Sequence, residues 1–394
     1  MRWTKPANDD WTKLLVAANL PFKTQRLSLD SIGLIQRAWA ASSRLAWRSG
    51  ARRDHSVYGN LKAFSSIRGH LASCAALAML TLILASADTF GQQMDPIAEW
   101  ATNESYQASL HQNVVYGHSG GLDLRLDVIT TGQPSPRPVV VYFHGGGWVE
   151  GNKEGVLLRT LPYLAWGMDV VNVEYRIASQ ALAPAAVEDG RCALHWVADH
   201  AQDYGFDPTR IVVAGESAGG HIALMAGLLR PDAGFDDACE AFPSNWQSTG
   251  PRNVHVAAII DFFGLVSLPI FLQPAKADGY VLPMPRAFAL RWLGDTPNQA
   301  QLAERLSPIT WVSHDSPPVL IAHGDEDPYV PYSQALMLRD SLNHNLVENE
   351  LITIHGGHGA SPPHAWTQQQ NLSAHEAVYR FLAKIGVLKT QMTP

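Results

Sequence analysis

Cysteine is scarce in this chain. Its 394 residues hold three, Cys74, Cys192 and Cys239, and none of their spacings is that of a zinc site. That argues against a structural metal and against a small fold stapled by many disulfides. Internal repeats and low-complexity stretches are absent as well, which sets aside repeat architectures. Basic residues become thin after the first fifth of the chain. Residues 1–87 carry 12 Lys/Arg against 4 Asp/Glu, whereas the remainder carries 17 against 32, a net of −15. An acidic body of this kind is a poor partner for nucleic acid, whose phosphates are held by Lys and Arg. The apolar share, 46%, suits a large packed core, and the length allows one large α/β domain with appendages.

One long uncharged run is present, Leu71 to Ala87, preceded by Lys62 and Arg68 and ended by Ala85-Ser86-Ala87. A basic flank, an apolar stretch and small residues at A-x-A spacing form the pattern of a secretory signal peptide cut after Ala87. Its place well inside the chain is unusual for a leader. We therefore expect residues 1–60 to be an upstream extension, with initiation near Val57 or Leu61, and residues 61–87 to be the signal. The competing readings are a membrane anchor, which the run is barely long enough to form, and an amphipathic extension on a cytoplasmic enzyme. Export makes the expected location secreted or periplasmic and would permit a Cys192–Cys239 disulfide. Cys192 lies in a helix-like segment, however, and an inert buried thiol is the expected state.

From Asn113 onward the chain has a regular rhythm. Asn113 to Val128 reads as a hairpin. Strand-like and helix-like segments then alternate: Val139–Phe143, Leu157–Ala165, Asp169–Glu174, Val187–His200, Ile211–Ala214, His221–Leu229. Strands follow at Val256–Phe262, Val319–Ala322 and Leu351–Ile354, and a helix at Ser373–Ile385 closes the domain. Alternation of this kind predicts an α/β fold, a mostly parallel central sheet with helices on both faces. Two stretches break the rhythm, residues 231–253 and 267–311. Loops after strands build the entrance to a site in such folds, so both are lid candidates. The second, rich in Pro, Phe, Tyr and Trp, is also the candidate substrate pocket. Trp148 and Phe263 are candidate pocket linings, although ordinary core is the plainer role for both.

The chemistry is concentrated in short glycine-containing loops after strands. Gly215-Glu216-Ser217-Ala218-Gly219 joins an apolar strand to a helix. A sharp turn there would project the Ser217 hydroxyl into a cleft as a nucleophile, and small flanking residues permit the turn. His144-Gly145-Gly146-Gly147-Trp148 follows Val139–Phe143. Unblocked backbone N–H groups in that loop, with the N–H of Ala218, could hold an oxyanion. A serine needs a base, and the base needs a carboxylate. His323-Gly324-Asp325-Glu326-Asp327 offers three acids and His355-Gly356-Gly357-His358-Gly359 offers two histidines; spacing alone does not choose among them.

This set of residues resembles the α/β-hydrolase superfamily, and within it the esterases with an HGGG-type turn, the hormone-sensitive-lipase-like and bacterial feruloyl-esterase-like groups. The resemblance runs from about Val114 to Leu388, so residues 88–394 are read as the α/β-hydrolase catalytic domain. It implies that Ser217, Asp327 and His358 are catalytic and that Gly146, Gly147 and Ala218 line the oxyanion hole, with Gly145 as an alternative donor. It also implies a serine carboxylesterase acting through an acyl-enzyme on a small-molecule or polymer-borne ester, with no cofactor and no metal. The rival readings are an amidase or arylformamidase using the same triad and a non-catalytic binding protein of the same fold. Membrane contact is expected only if residues 71–87 remain as an anchor.

Overall fold

The computed structural model describes residues 108–241, 254–273 and 283–389. The expected extension and signal segment, residues 1–87, and residues 242–253 and 274–282 of the two lid candidates lie outside the described residues.

Among the described residues, eight strands form one sheet: β1 (Ala108–Ser119), β2 (Leu122–Thr131), β3 (Arg137–Phe143), β4 (Asp169–Val173), β5 (Phe206–Glu216), β6 (Ala258–Phe262), β7 (Val319–Gly324) and β8 (Asn349–Ile354). Their order is β1-β2-β4-β3-β5-β6-β7-β8. The pairs β1–β2 and β2–β4 are antiparallel, and every later pair is parallel. Strands β3, β4, β6 and β7 are buried along their whole length. That is why each reads as a mainly apolar run: a strand covered on both faces has no solvent side to alternate with, and its few polar residues, Arg137, Asp169, Asn172, Asp261 and His323, are buried too.

Successive residues still divide between the two faces. Val139, Val141, Ile211, Val213 and Ile259 join one core; Val140, Tyr142, Val212, Ala214 and Ile260 join the other. The first core is covered by α2 (Ala185–Asp199) and α4 (Ala218–Leu228), the second by α1 (Leu157–Ala165) and the closing α9 (Gln368–Lys384). Helix α9 starts at a capping box, in which Thr367 and Gln370 satisfy each other's backbone N–H. Three more helices, α5 (Pro269–Leu272), α6 (Pro283–Leu293) and α7 (Gln299–Arg305), occupy the stretch expected to be a lid; α8 (Ser333–His344) lies between β7 and β8. Tyr204 ends a single helical turn, α3 (Ala201–Tyr204), before β5.

The expected inert thiol is corrected. Cys192 on α2 is bonded to Cys239, with Cα atoms 5.3 Å apart. A helical position buries a thiol without preventing pairing. Here the chain after α4 returns across α2 and brings Cys239 alongside. Arg191 next door clasps Asp236 through Nε (2.6 Å) and Nη2 (2.7 Å) and donates to the carbonyl of Ala226 at 2.8 Å. Burial pushes the Asp236 carboxyl up, but the bonds from Arg191 and His195 outweigh it and bring it to about 2. The described part of 231–253 is thus fastened to α2 by a covalent and an ionic tie. The bond closes a 47-residue separation. Replacing both cysteines by alanine is expected to lower unfolding stability by about 2–4 kcal/mol, read from urea unfolding with each variant's own m-value.

Candidate active site

Because β3 and β5–β8 run parallel, their carboxyl ends share one edge of the sheet, and the loops that leave them gather there. Ser217 follows β5 directly. Its backbone has φ 56° and ψ −121°, a region costly for any residue with a side chain. Neighbours hold it there. Ser217 N–H donates to Phe262 O at 2.9 Å, and the His221 N–H opens α4 by donating to Ser217 O at 3.0 Å. Two glycines make the turn possible: a Cβ on Gly219 would lie 2.1 Å from Phe143 O, and one on Gly215 would lie 2.4 Å from Gly219 O.

The glycine-rich loop after β3 comes up beside the serine. A Cβ on Gly145 would be 3.5 Å from Ser217 Cβ and 3.1 Å from Glu216 O. Gly146 and Gly147 both have positive φ, +118° and +59°, and the Gly146 carbonyl closes the turn by accepting from Val149 N and Glu150 N at 3.1 Å. His144 anchors the entry. Its ring stacks on Tyr175 at 4.1 Å, and the Tyr175 hydroxyl donates to His144 O at 2.8 Å. Burial lowers the His144 imidazole to about 4 against the opposing bond to Gly145, so it is neutral. Lys153 anchors the exit: its N–H donates to Glu174, its ammonium reaches Asp127 at 3.0 Å, and its carbonyl accepts from Asn172 at 2.6 Å.

Of the candidate acids and histidines, one pair is buried and joined. His358 Nδ1 donates to Asp327 Oδ2 at 2.6 Å. With Nδ1 protonated, Nε2 is left with its lone pair. The other Asp327 oxygen accepts from Tyr329 N (2.8 Å) and Val330 N (2.9 Å), and His323 Nε2 lies 3.4 Å from Oδ2. Burial pushes the Asp327 carboxyl up; the bonds from His323 and His358 outweigh it and hold it well below the usual carboxylate range. His355, by contrast, has a side chain 80% exposed and pairs with Asp325 at 3.2 Å, and Glu326 pairs with His364. The bond to Asp325 raises the His355 imidazole.

Phe263 ties the Ser217 side of the site to the His358 side. It follows Phe262, whose carbonyl takes the Ser217 N–H, and its ring lies 4.5 Å from the His358 ring. Trp148 is placed differently from an open pocket wall: it is 1% exposed, stacked on Trp292 at 4.4 Å. Sequence reasoning did not single out Trp292 or Phe288. Both come from α6, and a Cβ on Gly147 would strike the Phe288 ring at 2.3 Å. The described part of 267–311 therefore packs against the glycine loop.

A strand-turn-helix serine, a glycine loop after β3 and an Asp–His pair after β7 and β8, on a mostly parallel eight-stranded sheet, define the α/β-hydrolase fold. The chain belongs to the BD-FAE family, whose model matches residues 122–342. It is 31% identical over 232 residues to the probable carboxylic ester hydrolase LipM of Mycobacterium tuberculosis, covering 58% of this chain and 49% of LipM. It is 33% identical over 196 residues to the carboxylesterase NlhH of the same organism, covering 48% and 56%. The chain thus spans about half the length of these relatives. Among solved structures, esterase 2 of Thermogutta terrifontis, phosphorylated by paraoxon, superposes with a TM-score of 0.56 at 23% identity, over 72% of this chain and 96% of that one. A truncated carbohydrate esterase from gut microbiota gives 0.54 at 23%, over 70% and 96%.

Behind the pair sits a second buried carboxyl, Asp261 on β6. Its Oδ1 accepts from Gly264 N at 2.9 Å, while Oδ2 has no hydrogen-bond partner among the described residues. Burial pushes it up to about 7, opposed by His323. A carboxyl with a folded value above its unfolded one penalises folding increasingly as pH rises between the two. Asp261→Asn keeps the Oδ1 acceptor and removes the charge. It is expected to match wild type in stability at pH 4 and to exceed it at pH 8 by about 2–4 kcal/mol, measured by urea unfolding at both pH values.

Proposed function

We propose that the protein is a serine carboxylesterase. The observation that carries this reading is the buried His358–Asp327 bond on the sheet edge that also presents Ser217 and the glycine loop. Ser217 attacks the ester carbonyl while His358 Nε2 takes its proton; Asp327 holds the ring and stabilises the imidazolium. The oxyanion rests on N–H groups of Gly146, Gly147 and Ala218. His358 then protonates the departing alkoxide, leaving an acyl-enzyme. Water enters, gives its proton to His358 and releases the acid, and Ser217 regains its hydrogen.

The names of LipM and NlhH, and the paraoxon adduct of the T. terrifontis esterase, support the same reading. We also propose export. The disulfide supports an oxidising compartment, and the signal-like run at 71–87 supplies a route. A mature N-terminus beginning at Asp88 is the expected mass-spectrometric result; a mature chain that retains residues 71–87 contradicts it.

Kinetics on a p-nitrophenyl ester test the catalytic assignment. His358→Ala is expected to lose about 10³-fold or more in kcat, and His355→Ala to keep most activity. Equal losses would contradict the choice of histidine. N-formylkynurenine, in the same assay, is expected to turn over more slowly than the ester; preferred turnover of the formamide would replace the esterase reading with the formamidase one.

A further inference from the structure

Trp148 ends the glycine loop with a φ of +59°, a strained value for so large a residue. Something must hold it. One hold is the Ala178 N–H, which donates to Trp148 O at 2.7 Å. The other is the side chain. The indole N–H donates to His221 Nδ1 at 3.2 Å, and His221 Nε2 lies 2.7 Å from the carbonyl of Leu306. A carbonyl only accepts, so Nε2 carries the proton and Nδ1 offers its lone pair to the indole. Both ring nitrogens are used and the tautomer is fixed.

His221 sits one helical turn after Ser217, fully buried. Its ring meets Trp148 edge-on at 5.1 Å and Trp292 at 5.6 Å. A single imidazole thus joins the nucleophile's helix, the glycine loop and the 267–311 segment. Burial lowers it to about 4 against the opposing bond to Leu306, which keeps it neutral and able to accept. Gly146 and Gly147 have no side chains of their own to fix their orientation. The bonds that the Gly146 carbonyl accepts from Val149 N and Glu150 N set the plane of the Gly146–Gly147 peptide, so the aim of the loop's N–H groups depends on how the chain just after it, Trp148 first, is held.

We propose that His221 is a positioning residue that fixes the oxyanion loop through Trp148, keeping the Gly146 and Gly147 N–H groups aimed beside Ser217. The inference rests on the serine-esterase reading. Its contribution is realised where negative charge develops, so its loss falls on kcat and on transition-state analogues more than on KM.

The test compares variants of the full-length enzyme on one ester, beside wild type and Ser217→Ala. His221→Leu keeps bulk without an acceptor; His221→Asn keeps an acceptor oxygen near the Nδ1 position but cannot reach Leu306. His221→Leu is expected to lose about 10–100-fold in kcat, with affinity for a trifluoromethyl ketone falling by the same factor. KM should stay within about twofold, and His221→Asn should recover most of the loss. Trp148→Phe should match His221→Leu, and the double variant should lose little more. Equal losses in Leu and Asn, a loss confined to KM, or multiplying losses in the double variant would overturn the inference. If His221→Leu does not fold, Trp148→Phe carries the test, and a wild-type kcat there overturns it. Wild type without ester turnover overturns the parent reading as well; turnover lost in Ser217→Ala but unchanged in His221→Leu overturns this inference alone.

Discussion

The backbone of Ser217 turns into a region that side chains avoid, and the rest of the edge is built to keep it there. A positive φ at a residue with a Cβ costs about 1–3 kcal/mol. The cost is met by position. β5 lies between β3 and β6, so the turn is flanked by Phe143 on one side and Phe262 on the other. The Phe262 carbonyl holds the Ser217 N–H, and the bare flanks of Gly215 and Gly219 let the α4 backbone approach the end of β3. A wider residue at either glycine would push helix and strand apart and let the serine relax. Strain at Ser217 and close packing at the glycines are therefore one feature.

Environment gives different roles to chemically identical groups. Asp327 and Asp261 are both buried carboxyls on adjacent elements. Asp327 meets two backbone donors and two imidazoles, and its charge is favoured. Asp261 meets one backbone donor, and its charge is resisted. The histidines divide the same way. His358 is buried against a carboxylate, with one nitrogen left over; His221 and His144 are buried, neutral and bonded to the backbone; His355 is out in solvent. His144 also leaves its Nε2 without a partner among the described residues; what sets His358 apart is the carboxylate on its Nδ1, the arrangement that the proposed general base requires.

Much of this was legible in the chain because strands buried on both faces are apolar at most positions. Val139–Phe143 and Val319–Ala322 announced themselves for that reason. The glycine loop and Gly215–Gly219 were legible because close backbone approach leaves few residue types. The choices of Asp327 and His358 came from resemblance; the three acids and two histidines differ in burial, which spacing does not carry. β5 is longer than expected because Asp207-Pro208-Thr209-Arg210, polar and half-exposed, continues a strand whose apolar part is only Ile211–Ala214. Helices α6 and α8 were missed for a similar reason: Pro283 and Pro285 obscure the start of one, and in the other Gln334, fully buried, spends its side chain on the Val266 and Ser267 N–H groups. The burial of Trp148 depends on Trp292 and His221, both far away in sequence, and the disulfide depends on a return across α2.

The proposed mechanism requires Ser217 to be the one hydroxyl that this edge makes reactive. Paraoxon treatment of the folded protein, followed by peptide mass spectrometry, reads that directly. A single diethylphosphoryl group on Ser217, absent from protein unfolded in urea before treatment, is the expected result. Ester turnover without modification at Ser217, or phosphorylation spread over other serines and tyrosines to the same extent in folded and unfolded protein, would contradict it.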